Sequence, residues 1–162
     1  MHMIIRNIVY ANSESEAISV ARNNFQNLCE GQRPFDYYDT FDEGGSSYWE
    51  DKYPSVAKID SEVGRKLLLD GWKATLRDMR GHLKEIKRFT EGKKITEIMR
   101  DIRSNYLQYH YKAVGEYNGD SVWLYDNDGE GIKDRKHLND VLNKWGHYKD
   151  KQVYIVPADV HY

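Results

Sequence analysis

Between Leu68 and Ile86 the apolar residues Leu68, Trp72, Leu76, Met79, Leu83 and Ile86 recur three or four positions apart. Such a series falls on one side of the chain only if the chain is a helix of 3.6 residues per turn. Asp60 or Ser61 stands where an N-cap is needed, and Gly71 and Gly81 are the points at which so long a helix can kink. After Thr90 and Gly92, a further amphipathic stretch puts Ile95, Ile98, Met99 and Ile102 on one side and is expected to pack beside the first helix.

A helical pair with apolar stripes needs a surface to cover them, and both ends of the chain read as sheet. Ile4 to Tyr10 is short, β-branched and apolar, and Ser13 with Glu16 three residues on has the spacing of a capping box. Ile18, Ala21, Phe25 and Leu28 then share one helical face, closed by Gly31 and Pro34. From Tyr106 to Tyr117, Leu107, Tyr109, Tyr111 and Ala113 alternate with polar residues as in a half-buried strand, and Asn118-Gly119 is a strong hairpin signal. Ser121 to Tyr125 is the returning strand. Asp134 caps a last helix bearing Leu138, Val141, Leu142 and Trp145 and ended by Gly146, and Gln152 to Val156 is a final strand stopped by Pro157.

The expected fold class is therefore α+β. The order is that of a ferredoxin-like βαββαβ antiparallel sheet, with the helical pair, residues 60–104, inserted between the first helix and the second strand. At 162 residues, 40% of them hydrophobic, one packed domain spanning 3–158 is expected. Met1 and His2 read as a cloning remnant ahead of Met3.

A net charge of -2 argues against a globally basic nucleic-acid coat, so any contact with a polyanion must be local. The single cysteine, Cys29, cannot close an internal disulfide, and with no secretory leader in view a reducing cytoplasm is the expected compartment. No apolar run approaches the ~20 residues that span a bilayer.

Three stretches carry candidate chemistry. Asp126, Asp128 and Glu130 fill the first three ligand positions of a calcium loop, Gly131 supplies its turn and Asp134 its ninth position, but His137 replaces the glutamate at the twelfth. A site for Mg2+ or Ca2+ there would support a metal-dependent phosphoester hydrolase. Between Arg65 and Arg103 there are twelve Lys or Arg against six Asp or Glu. Lys73, Arg77, Arg80, Lys84 and Lys87 form a stripe beside the apolar one, suited to a phosphate backbone unless local pairs such as Asp70 with Lys73 or Glu85 with Arg88 absorb it. Third, residues 35–53 hold Tyr37, Tyr38, Tyr48 and Trp49 among acidic neighbours. These aromatics either fold back over the helical pair or anchor a protein partner, including a second copy of the chain.

Cys29 reads as a buried structural thiol, and His82, His110 and His147 lie at no ligand spacing from one another. No nucleophile elbow, zinc motif or Walker lysine occurs in the sequence. The balance favours a non-catalytic binding or regulatory module that engages a protein or nucleic acid through the aromatic acidic loop, the basic helix, or both.

Overall fold

The computed structural model describes residues 1–31, 34–42, 48, 49, 52–101, 105–116, 121–144, 146 and 148–161. Its frame is a ladder between the two ends of the chain. Strand β1 (His2–Ala11) pairs antiparallel with β5 (Gln152–His161) along its whole length, from His2 opposite His161 to Ala11 opposite Gln152. β4 (Leu124–Tyr125) adds parallel to β1, while β2 (Tyr37–Thr40) and β3 (Ala57–Lys58) pair antiparallel with successive parts of the outer edge of β5. The result is a five-stranded mixed sheet of order β2-β5-β1-β4, with β3 also on β5.

Helices cover both faces, as the period of two in β1 dictates. One face bears Met3, Ile5 and Val9 with Val156, Ala158 and Val160, and packs against Ala17, Ala21, Phe25 and Leu28 of α1 (Glu14–Glu30). The other bears Ile8, Tyr10, Val153 and Ile155, under Leu67 of α2 (Glu62–Thr90) and Leu138 and Val141 of α5 (Arg135–Leu142). Ile5, Ile8, Ile155 and Val156 are fully buried. At about 1.5–3 kcal/mol for each such side chain, the central ladder is where the stability concentrates.

The strand order differs from that of a ferredoxin-like sandwich in three places. Most of the stretch from Tyr106 to Tyr117, expected to be a strand, falls in α4 (Asn105–Gly115), packed on α2. Leu107, Tyr111 and Val114 satisfy helical spacing just as Leu107, Tyr109, Tyr111 and Ala113 satisfy alternation, and an available helical partner decided between the two. The Asn118-Gly119 hairpin and Trp145 lie outside the described residues. The returning strand shrinks to β4 and runs parallel to β1, and β2 forms inside the segment read as loop.

The final strand also continues through Pro157 to His161. Arg6 donates its backbone N–H to Trp123 O, just ahead of β4, so the opposing Pro157 turns its nitrogen away from β1. It faces the gap between the partners of β3 and β2, where no donor is required. At the other end of the ladder His2 lies within β1 and stacks on Tyr48 at 4.4 Å.

α2 is continuous through Gly71 and Gly81. Gly71 lets the helix cross the sheet closely, since a Cβ there would lie 2.8 Å from Leu124 and 2.9 Å from the Arg6 side chain. α3 (Ile95–Asp101) does not bury its stripe against α2: Ile95 and Met99 are exposed. No helix among the described residues is long and apolar enough to cross a membrane.

Candidate functional site

The longest helix presents the most extended charged surface. Ser61 starts it by accepting the Gly64 N–H at 3.0 Å, and packing of Gly64, Leu67, Gly71, Ala74 and Thr75 fixes which side faces inward. Lys73, Arg77, Arg80, Lys84 and Lys87 fall on the opposite side, and all five are exposed. Among the described residues the acids of the helix pair with one member of this stripe, Arg77, and leave the other four. Asp78 accepts the Trp123 indole N–H at 2.7 Å and a bond from Arg77, and Glu85 accepts from the Tyr106 hydroxyl and pairs with Arg88 at 2.6 Å. Both carboxylates are thus drawn to the flanks. Asp70 and Lys73 do not pair, and Lys73, Arg80, Lys84 and Lys87 make no ion pair among the described residues. The four span about 21 Å, at about 1.5 Å per residue.

The acidic loop forms a closed turn. Asp126 Oδ1 accepts the N–H groups of Asp128 (3.0 Å) and Glu130 (2.9 Å), and Oδ2 meets His137 Nε2 at 2.8 Å. Asp134 is occupied as the N-cap of α5, accepting from His137 N at 2.8 Å. Asn7 and Asn24, both buried, tie the turn to the sheet: Asn24 donates to Asn7 Oδ1 and Asn127 O, and Asn7 donates to the carbonyls of Tyr125 and Asp126. Gly129 takes φ +81°, a conformation that favours glycine. Asp126, Asp128, Glu130 and Asp134 therefore do not converge as ligands, and no group of three or more His, Cys, Asp or Glu placed to hold a metal occurs among the described residues.

Among the aromatics of residues 35–53, Tyr37 and Tyr38 lie in β2 of the sheet, whereas Tyr53 packs on the core cluster that holds Leu67 of α2. Tyr38 packs on Phe25 beneath α1, and Tyr37 stacks on His161 at 5.0 Å. Trp49 meets Tyr48 and Tyr53 edge-on. Tyr37 and Tyr48 remain exposed, while Tyr38 and Trp49 are half-buried. Cys29 is half-buried, and burial pushes its thiol up to about 11, so thiolate chemistry is suppressed.

One polar cluster carries no signal in the sequence. His82 on α2 and His110 on α4 bring their Nδ1 atoms to 2.8 Å, and Ser121 Oγ lies 2.8 Å from His82 Nε2. In this contact one of the facing nitrogens donates and the other accepts. The order is that of nucleophile, base and orienting group. Ser121, however, is only 2% exposed, which keeps any substrate from its oxygen, and the cluster instead ties α2 to α4 and to the approach to β4. Only the packing of α4 on α2 brings together residues 28 apart. His147 lies outside the described residues.

A family model described as "Domain of unknown function (DUF7995)" matches residues 1–162. No curated protein and no solved structure matches the chain.

Proposed function

The chain belongs to the DUF7995 family, and we propose that it is a non-catalytic binding module that contacts the phosphate backbone of a nucleic acid through the outer face of α2. The observation that carries this is the set of four exposed cations, Lys73, Arg80, Lys84 and Lys87, without an ion pair among the described residues. A stripe about 21 Å long matches roughly six base steps of 3.4 Å, and each neutralised phosphate releases condensed counterions. The overall charge of -2 keeps the attraction local to this face. Nothing in the arrangement reads base edges, so the expected binding is insensitive to sequence.

The test is fluorescence anisotropy with labelled duplex and single-stranded oligonucleotides of roughly 20 nucleotides, at about 50 mM salt. Saturable binding of either, with a dissociation constant of about 100 μM or tighter and weakening as salt is added, is the expected result. No binding of either at low salt removes the proposal.

A further inference from the structure

Where α4 packs on the C-terminal half of α2, aromatic rings from the two helices form one connected row. Tyr106, Tyr109 and His110 are three and four residues apart, so they share one side of α4, and their contacts show that this side meets α2. Centroid to centroid, Phe89 lies 4.9 Å from Tyr106, Tyr106 lies 4.6 Å from His110, His110 lies 5.2 Å from Tyr109, and Tyr109 lies 5.3 Å from His82. His110 is buried beneath the row, but Tyr106 and Tyr109 keep 48% and 45% of their surface open. Cations border the same rings. The guanidinium of Arg88 stands 5.0 Å from the Phe89 ring and the ammonium of Lys93 5.8 Å from it, and the Tyr106 hydroxyl donates to Glu85, the neighbour of Lys84.

At about 100° of turn per residue, Arg88 falls between the Lys84 and Lys87 side of α2 and the Glu85 and Phe89 side that meets Tyr106. Going round the helix, exposed ammonium groups therefore give way to a guanidinium and then to open rings. Contact with phosphates alone needs no rings. Rings beside cations suit a strand with unpaired bases, since every base offers a face for stacking and every linkage a charge. We propose that this seam of α2 and α4 binds single-stranded nucleic acid, its phosphates on Lys84 and Lys87 and a base stacked on each of Tyr106 and Tyr109. The inference rests on the phosphate contact proposed above and names the class of polymer it favours. A duplex, whose base faces are already stacked, meets only the stripe.

The test compares, by fluorescence anisotropy at low salt, labelled oligothymidylate with an abasic oligomer of equal length, which has the same backbone charge and no bases. The parent chain is expected to hold oligothymidylate about 25-fold or more tightly than the abasic oligomer, as two stacked bases imply. Tyr106→Ala and Tyr109→Ala, each checked for helix content by circular dichroism, are expected to lower that ratio about fivefold apiece. Tyr106→Phe, which keeps the ring and gives up the hydroxyl bond to Glu85, is expected to recover what Tyr106→Ala loses. Should one alanine variant not fold, the parent ratio and the other variant decide. Equal affinity of the parent for the two oligomers, or a ratio that no folded alanine variant lowers, overturns the inference. Salt-sensitive binding of both oligomers would in that case leave the backbone contact of α2 standing without it. If neither oligomer binds, the inference falls, and the backbone contact falls with it only if the duplex also fails to bind.

Discussion

The clearest local device is at the start of α1, where Glu16 does two jobs. Its Oε2 accepts from the Asn12 N–H and its Oε1 meets Lys151 Nζ at 2.8 Å, so the helix start is tied to the residue preceding β5. The bond from Lys151 and those from Asn12 hold the carboxyl down at about 2, against an ordinary 4.5. A depressed carboxyl stabilises the folded state above its unfolded value, and that contribution is lost as pH falls through the folded one. Glu16→Gln is therefore expected to be less stable than the parent at pH 7, with the gap closing between about pH 4.5 and about 2. Urea denaturation across that range checks it, and a gap that persists at pH 2 would contradict the assignment. The Ser13 and Glu16 spacing was legible because a capping box is local. The buried Asn7 and Asn24 clamp was not, since its partners lie more than a hundred residues away at Tyr125 to Asn127.

At the scale of elements, what the sequence displayed depended on whether one period fitted alone. The stripe from Leu68 to Ile86 admits only a helix, and α2 forms there. Tyr106 to Tyr117 fits a strand and a helix, and tertiary contact with α2 settled it. β2 and β3 are too short to show any period and exist because β5 offers them an edge. The glycines of α2 separate in the same way. A Cβ at Gly64 would lie 2.0 Å from the Lys58 carbonyl oxygen, whereas one at Gly81 meets nothing within 4 Å. Gly64→Ala is expected to destabilise by about 2 kcal/mol or more, since backbone must shift, and Gly81→Ala to stabilise by roughly 0.5–1 kcal/mol through helix propensity. Thermal denaturation of the two variants gives shifts of opposite sign, and a loss of stability in Gly81→Ala would show that the helix does not present that position to solvent.

For the molecule as a whole, the two termini build the sheet and α2 is laid across it, so one side of that helix is committed to the core and the other to solvent. The basic stripe was visible in the sequence as a run of spacings. Whether the helix's own acids would cancel it was not, because Trp123 and Tyr106, which draw Asp78 and Glu85 aside, belong to other parts of the chain. The acidic loop showed the reverse. Its residues resembled a ligand set in order, yet both oxygens of Asp126 are taken by backbone amides and His137, and Asp134 is taken as a helix cap. Charge on the outer face of α2 is thus the feature from which function is inferred, and its most direct test is the salt dependence of duplex binding, measured for the parent chain and for a variant with Lys73, Arg80, Lys84 and Lys87 all changed to Ala. With roughly 0.9 of slope per neutralised phosphate, the parent should give a log–log slope of about -4 and the variant a slope near zero with little binding left. Equal slopes for the two proteins would place the contact elsewhere and contradict the account.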